Sequence, residues 1–200
     1  MTRENIIKQI LLRIDEISPF QDADIIDNNL IDGLLNETAE DVLMKLPLHL
    51  LPSTTVNSIS EITDSILTKF QLPTDFLRLI KLRLSSWIKP VNELLPEEHP
   101  KFQLQYNNKY LRGTVNRPIA FIVNASTSNK EAYCFGKGVV NTVSQFYYCK
   151  KTLPESMPDN ILEPMFYMGA FKVLVAMEKP EVAKVAITQF ENFVKRNTIA

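Results

Sequence analysis

The stretch QLPTDFLRLIKLRLSSWIKPV, from Gln71 to Val91, is the most distinctive part of this chain and marks where its architecture changes. It begins with Leu72-Pro73, continues as a dense apolar run with three regularly placed basic residues, and ends at Pro90 after the only tryptophan, Trp87. Apolar residues occupy most even positions from 76 to 84, which favours a β-strand there. The pattern is helical before this stretch and β-rich after it.

Charge is segregated about the same stretch. Residues 1–75 carry 13 acidic and 5 basic residues, whereas residues 76–151 carry 12 basic and 4 acidic residues. The net charge therefore changes from −8 to +8, although the whole chain has a net charge of −1. Opposite charges on different faces would favour head-to-tail contact between copies and leave one face that tolerates nucleic acid. The alternative is that both sets of charges are solvated faces of one fold.

Two helices are predicted near the N-terminus. Apolar residues recur at helical spacing from Ile6 to Ile17, which predicts an amphipathic first helix. An acidic linker follows at residues 21–29, and Gly33 is interpreted as the stop of a short apolar turn. The sequence Thr38-Ala39-Glu40-Asp41 resembles an N-terminal capping arrangement for a second helix, which we expect to kink or break at Pro47.

A β-rich middle and two further helices follow. Residues 59–70 fit both helical and strand spacing, so both alternatives stay open there. A short helix with one aromatic edge is predicted over residues 101–110. Three strands of an antiparallel meander are predicted at residues 119–123, 132–135 and 139–149. Apolar stripes at helical spacing then predict a pair of helices over residues 159–196.

The order of these elements predicts an α+β fold, in which N- and C-terminal helices form a bundle with a central antiparallel β-sheet as an insertion. We expect a single domain over residues 1–200, mainly helical over residues 1–70 and β-rich over residues 71–151. The composition, 45% hydrophobic and 22% charged, is that of a globular protein. No window predicts a membrane span and no signal-peptide layout is present, so we expect a soluble protein that is not secreted.

No catalytic, cofactor or metal site is predicted. The sequence contains no glycine-rich phosphate loop, nucleophile elbow or HExxH motif. His49 and His99 have no other ligand residue at metal spacing beside them. Asp22, Asp24 and Asp27 are spaced as in a calcium loop but lack its glycine and final glutamate, so we interpret them as a solvated linker. We therefore expect the protein not to be an enzyme.

The two cysteines, Cys134 and Cys149, are too few for a disulfide framework or a four-ligand zinc site. We expect both to be reduced and to act as small hydrophobic residues, although a bridge between adjacent strands is compatible with the sequence. Basic and aromatic residues also alternate between Arg78 and Arg117, as phosphate contact and base stacking would require. Because the aromatic residues repeat at core spacing, only weak contact with DNA is expected.

One family resemblance is carried by residues 72–91. The run Leu72-Pro73-Thr74-Asp75-Phe76-Leu77-Arg78-Leu79, followed by Trp87 and Pro90-Val91, resembles the LP-x-DFLRL … W … PV pattern of head-to-tail connector proteins of tailed bacteriophages. These neck or ring proteins are those of crAss-like and related Bacteroides phages. The resemblance covers about residues 38–195, and residues 1–37 match nothing in it. This sequence departs from the family pattern at Leu84-Ser85-Ser86, where the pattern has a glycine-containing turn before the tryptophan.

The resemblance implies a virion structural protein that assembles as a ring, twelve-fold, beneath the portal and joins capsid to tail around the DNA channel. Its partners would be other copies of itself, the portal protein and other neck or tail proteins, with non-specific contact with DNA and no membrane. It would be found in the virion neck, and in the host cytoplasm during assembly. No cofactor is implied. The interface candidates are Phe76, Arg78, Trp87, Tyr147 and Tyr148.

A second interpretation belongs to a different class. The chain would be a small α+β adaptor or nucleic-acid-associated host protein without catalytic activity, and its match to the connector pattern would be coincidental. Salt-sensitive DNA binding would favour this interpretation. An enzyme with an unrecognised site is a third alternative, which paired carboxylates in a pocket would favour.

Overall fold

The computed structural model describes residues 1–18, 26–56, 59–125, 129–136, 138 and 141–198. The chain forms two compact units. The helical unit comprises Met1–Pro52 and Lys151–Ala200, and the β unit comprises Ser53–Lys150 between them. The predicted α+β class is confirmed. The single domain over residues 1–200 and the bundle arrangement of the helices stay predictions.

The described residues form five α-helices. In chain order they are α1 (Arg3–Ile17), α2 (Asn28–Lys45), α3 (Lys101–Asn107), α4 (Asp159–Ala176) and α5 (Pro180–Thr198). Short 3-10 turns cover Leu48–Leu50 and Pro154–Ser156. The C-terminal helix pair therefore lies where the sequence predicted it. Within the described residues, no helix combines the length and apolar character needed to cross a membrane.

The helical unit is built around α4, which contacts α1, α2 and α5. Ile6, Ile10 and Ile14 form a fully buried stripe on α1, because residues four apart lie on one face of a helix. A side chain at Gly169 of α4 would place its Cβ 2.6 Å from Ile10 Cδ1, so this glycine permits the close approach of the two helices. Lys172 of α4 pairs with two acidic side chains of α2.

The predictions for the start of α2 are wrong. The helix runs without interruption through Gly33 and Thr38, and its N-cap is Asp27, whose carboxylate accepts a hydrogen bond from Asn29 N. Thr38 is buried within the helix and donates to Leu34 O. Glycine costs a helix only about 1 kcal/mol, which the buried apolar face of α2 outweighs. The predicted break at Pro47 is confirmed, because α2 ends at Lys45.

The described residues of the β unit form eight strands. They are β1 (Thr54–Thr55), β2 (Glu61–Thr63), β3 (Leu67–Gln71), β4 (Phe76–Leu84), β5 (Leu95–Pro96), β6 (Ile119–Asn124), β7 (Lys130–Phe135) and β8 (Val143–Lys150). A three-stranded sheet has the order β1-β8-β4, and a five-stranded sheet has the order β2-β3-β7-β6-β5. All pairs are antiparallel except β5–β6, which is parallel.

The β unit has three layers, which follow from the alternation of side chains along each strand. One face of the five-stranded sheet packs on the three-stranded sheet, where the rings of Phe70 and Phe146 meet edge to face at 5.5 Å. The other face buries Leu67, Phe121 and Phe135. The helix α3 covers this second face, because the ring centre of its Phe102 lies 5.1 Å from the ring centre of Phe121.

Three features of the β unit differ from the sequence prediction. Strands begin at Thr54 rather than at residue 71, and the ambiguous residues 59–70 contain β2 and β3. The predicted three-stranded meander is wrong, since β6 and β7 form a hairpin whereas β8 pairs with β4 and β1 in the other sheet. Strand β4 is nine residues long and pairs with β8, and its Phe76 ring stacks against the rings of Phe146 and Tyr148 of β8. This long-range pairing outweighs a local hairpin.

Candidate functional site

The five predicted interface residues divide into buried and accessible groups. Phe76 and Tyr148 are buried, and Trp87 is only 1% exposed. Tyr147 is 36% exposed, and Arg78 is half-buried. A side chain that is buried within one copy offers no surface to a second copy. Phe76, Trp87 and Tyr148 therefore act in the core of the β unit, and only Arg78 and Tyr147 can contribute surface.

The basic residues of β4 share one face of the three-stranded sheet. Residues directly opposite each other on antiparallel strands point to the same side of the sheet. Arg78, Lys81 and Arg83 each lie opposite a residue of β8, and those β8 residues alternate along the strand, so all three basic side chains lie on one face. The pairing register shifts at three points, between residues 76 and 78, between residues 79 and 81 and between residues 83 and 84. Strict alternation from Phe76 would place Arg78 on the buried face of β4. These β-bulges explain why Arg78 does not lie there.

The cysteine on this basic face is chemically inert. Cys149 lies opposite Arg78, is fully buried and forms no disulfide. Burial raises the pKa of its thiol to about 11, and the nearby Arg78 offsets only part of this effect. The thiol is therefore protonated at neutral pH and is a poor nucleophile. The predicted reduced state of both cysteines agrees with the free, buried Cys134 and Cys149.

Trp87 connects the turn after β4 to the end of β7. Its indole Nε1 donates a hydrogen bond to Gly136 O at 3.0 Å. Gly136 has a φ of +111°, a conformation that favours glycine. A Cβ at Gly136 would lie 2.7 Å from Thr114 O and 3.1 Å from the indole nitrogen, so no larger residue fits. The tryptophan thus satisfies a polar atom in the core while filling a large apolar volume.

Asp75 and Tyr148 form a second polar pair beside the same core. Tyr148 Oη donates to Asp75 Oδ1 at 3.0 Å. Burial raises the pKa of Tyr148 to about 12, and the hydrogen bond to the Asp75 carboxylate adds to the shift. The pair fixes the turn that precedes β4 against β8.

Among the described residues, the most exposed aromatic side chain lies on a turn that the sequence pattern did not identify. The helix predicted over residues 101–110 ends at Asn107, so Tyr110 leaves the predicted aromatic edge and is 85% exposed. Leu104 of α3 and Leu111, the next residue along the chain, are also exposed. We call Asn108–Arg112 the Tyr110 turn. The adjacent polar residues Asn107 and Asn108 were the available sequence signal for an earlier helix end.

Hydrogen bonds hold the Tyr110 turn rigid. Arg112 donates from Nε to Gln105 O at 2.6 Å and from Nη2 to Tyr106 O at 3.3 Å. These carbonyls belong to the last turn of α3, where no helical partner is available. The buried Gln105 side chain accepts from Gly113 N at 2.7 Å. Tyr110 N donates to Asn108 Oδ1 at 3.0 Å, which closes the turn itself.

An open apolar cavity of about 420 Å³ lies at the edge of the β unit. Its volume falls in the range of pockets that hold small ligands or side chains, roughly 300–1,000 Å³. We call it the edge pocket. Its apolar lining is Val56, Ile59, Leu72, Pro73 and Phe146.

The described residues offer no metal centre, because no three His, Cys, Asp or Glu side chains among them converge. His99 Nδ1 accepts from Lys101 N at 3.1 Å and so serves the start of α3. Asp22 and Asp24 of the acidic linker lie outside the described residues.

No family model matches the sequence, and no curated protein matches it.

Replacing Trp87 separates its two roles. Trp87→Ala should lower the free energy of unfolding by about 3–5 kcal/mol, because it leaves a large cavity. Trp87→Phe retains much of the apolar volume but leaves Gly136 O without its donor, which should cost about 1–3 kcal/mol. Urea unfolding followed by circular dichroism measures both. Ile88→Ala is the matched control, since Ile88 is exposed and should change stability by less than about 0.5 kcal/mol.

The Asp75–Tyr148 pair should make stability fall in alkali. An unfolded tyrosine ionises near pH 10, whereas folded Tyr148 ionises near pH 12, so the unfolded chain releases its proton first. Stability contributed by this group is complete below pH 10 and should decline by roughly 2–3 kcal/mol up to pH 12. Tyr148→Phe should remove that decline, and Asp75→Asn should reduce it in part. An equal decline in all three proteins, measured by urea unfolding, would contradict this assignment.

Proposed function

We propose that this protein is a virion structural protein, a head-to-tail connector that forms a ring beneath the portal and joins capsid to tail around the DNA channel. The observation that carries the proposal is the opposite charge of the two compact units. From their sequences, the helical unit has a net charge of −6 and the β unit has a net charge of +5. Each copy therefore carries both signs of charge, one on each compact unit.

Opposite charges on separate parts suit a closed ring. A ring forms when one patch of each copy contacts a different patch of the next copy. Complementary charges favour that head-to-tail contact, whereas like charges disfavour contact between two equivalent patches. The partners proposed are other copies of the chain in a twelve-fold ring, the portal protein and other neck or tail proteins. The positive β unit supports non-specific contact with DNA in the channel.

The residues that carry the connector resemblance support a common fold rather than a common chemistry. Leu72, Phe76 and Leu79 are buried together with Trp87 in one core of the β unit. Asp75 bonds to Tyr148 within the same unit. A pattern of this kind identifies a packing arrangement, as expected for a structural protein. We place the protein in the virion neck, and in the host cytoplasm before assembly.

Oligomeric state tests the connector proposal. Native mass spectrometry over a concentration series should detect high oligomers, with the twelve-copy species as the largest closed assembly. Electron micrographs of the protein mixed with portal rings of crAss-like phages should show added density at one end of the portal. The proposal fails if the protein stays monomeric at every concentration and also leaves the portal rings unchanged. A monomer alone does not decide the matter, because a connector can assemble on the portal.

One surface favours a second candidate, a nucleic-acid-associated protein. Residues 101–117 contain four basic residues and no acidic residue. Lys109 Nζ lies 5.2 Å from the ring centre of Tyr110, so a cation stands beside an exposed aromatic face. Bases stack on such side chains while cations contact the phosphates.

Salt-dependent binding of single-stranded DNA separates the two candidates. A nucleic-acid-associated protein should lose about 1–3 kcal/mol of binding on Tyr110→Ala. For such a protein, the slope of the logarithm of the binding constant against the logarithm of the salt concentration should fall in magnitude by roughly 0.7 on Lys109→Gln. Lys45→Gln in the helical unit is the charge-matched control. The connector proposal instead expects a Kd at or above about 10⁻⁴ M, the weak end of non-specific binding, that Tyr110→Ala leaves unchanged. Fluorescence anisotropy measures both quantities.

A further inference from the structure

Two turns that are distant in the sequence meet at the end of the β unit that contains Trp87. Ile88 N donates a hydrogen bond to Val115 O at 2.9 Å, which joins the turn after β4 to the turn before β6. Gly138 lies against both turns, because a Cβ there would overlap Ser86 and contact Val115. The two turns therefore present one continuous surface, although they lie far apart in the chain.

The surface formed by these turns is basic. Residues 83–90 and 108–118 contain five basic residues and no acidic residue. Lys89, Lys109 and Arg117 are exposed, whereas Arg83 and Arg112 are half-buried. We call these two segments the basic end of the β unit. Because the segments come together only in the fold, the sequence pattern over residues 101–117 contained just part of this patch.

The three exposed cations of the basic end are not neutralised by carboxylates. Every ion pair between described side chains has its basic partner in the helical unit, where Arg3 and Lys172 each pair with two acidic residues. No described carboxylate pairs with Lys89, Lys109 or Arg117 in this way. Cations without a carboxylate partner in the same chain remain available to an anionic partner.

Two acidic residues lie toward the same end of the β unit, and both carboxylates accept backbone hydrogen bonds. Asp64 Oδ1 accepts from the N–H groups of two residues that follow it, at 2.6 and 2.8 Å. Glu61 Oε1 accepts from Val143 N at 2.7 Å. Glu93 lies beyond Val91, where the chain runs back along β4 and away from the turn. Five basic residues against two occupied carboxylates leave this end positive.

We propose that the basic end binds the phosphate backbone of double-stranded DNA and does not read its sequence. The inference rests on the proposed function for the DNA in the channel, and it names the surface that contacts that DNA. Each exposed cation contacts one phosphate and releases the counterions held there. The hydrogen bond between Ile88 and Val115 fixes the spacing of Lys89 and Arg117 before contact, which lowers the entropic cost of binding.

Duplex DNA fits this surface better than the other anionic partners do. Single-stranded DNA gains much of its affinity from bases that stack on aromatic side chains. Trp87 is only 1% exposed, so it offers no face for stacking beside Lys89. A duplex keeps its bases stacked on one another and presents its phosphates outward, so cations are sufficient for contact. An acidic surface of a second copy is disfavoured, because lysine is depleted at the centre of protein–protein interfaces.

Salt-dependent binding of a fluorescently labelled DNA duplex tests the contact. Three phosphate contacts predict a slope of about −2.7 for the logarithm of the binding constant against the logarithm of the salt concentration. Binding should therefore weaken roughly 40-fold between about 50 mM and 200 mM salt. Lys89→Gln and Arg117→Gln should each lower the magnitude of the slope by about 0.9, and the double variant by about 1.8. Fluorescence anisotropy measures these slopes.

Lys130→Gln is the matched control. Lys130 is an exposed lysine of the same unit that begins β7, whereas Gly136, at the basic end, follows the other end of that strand. The control removes the same charge, so its slope should stay at the wild-type value. An equal loss of slope in Lys130→Gln and Lys89→Gln overturns the proposal, because binding then follows only the net charge of the unit. Undetectable duplex binding at about 50 mM salt also overturns it.

The competing partners give different results in the same experiments. A weaker duplex affinity on Tyr110→Ala overturns the proposal in favour of stacked single-stranded DNA. Smaller oligomers in native mass spectrometry of Lys89→Gln and Arg117→Gln, with duplex binding unchanged, overturn it in favour of a second copy of the chain. Circular dichroism verifies that these variants, all at exposed positions, are folded.

Assembly is measured separately, so failure of this contact and failure of the connector proposal can be told apart. A ring in which Lys89→Gln and Arg117→Gln both retain the wild-type slope overturns the contact and leaves the connector proposal standing. A protein that shows the expected slope changes, yet stays monomeric and leaves portal rings unchanged, supports the contact and overturns the connector proposal.

Discussion

The hydrogen bond from the Trp87 indole to Gly136 O holds the β unit closed at one end. Trp87 follows β4 of the three-stranded sheet, whereas Gly136 follows β7 of the five-stranded sheet, so one buried bond ties the two layers together. Gly136 in turn packs against Thr114, and Gly113 packs against Phe135. The position of the Tyr110 turn therefore depends on a tryptophan that never reaches the surface. A buried polar bond in a low-dielectric core is costly to break, which explains its organising role.

Among the described residues, the surfaces that this core supports show no recognisable metal or catalytic centre. They differ from one another in charge and in apolar character. A basic α3 region with an exposed aromatic residue stands at one end of the sheet, and an apolar pocket stands at the other. Tyr110 lies on a turn after α3, and the pocket is lined mostly by residues of the connections between strands, together with Phe146 of β8. Surfaces of this kind serve contact with other macromolecules, where rigid anchors matter more than the total area. The proposed connector function uses that differentiation.

Sequence patterns predicted the strand β4 and the helix pair α4–α5, because each segment's apolar residues repeat at the period of its own structure. They failed where a distant partner decides the outcome. The bulges of β4 arise from its pairing with β8, some 70 residues further along the chain, and local alternation contains no sign of them. Gly33 lies within α2 because tertiary burial outweighs local propensity. Phe76, Trp87 and Tyr148 were chosen as interface candidates by residue type, and burial depends on the complete fold.

The pairing of β1 with β8 also has a consequence for biogenesis. Thr54 lies opposite Tyr148, so the first and last strands of the β unit are neighbours, and the unit is continuous from Ser53 to Lys150. Closing a loop of that length costs roughly 4 kcal/mol of chain entropy, and contacts inside the β unit offset this cost. On the ribosome, this insertion can fold as soon as it emerges, whereas the helical unit must wait for α4 and α5. The early-folded insertion then brings the two halves of the helical unit within reach of each other.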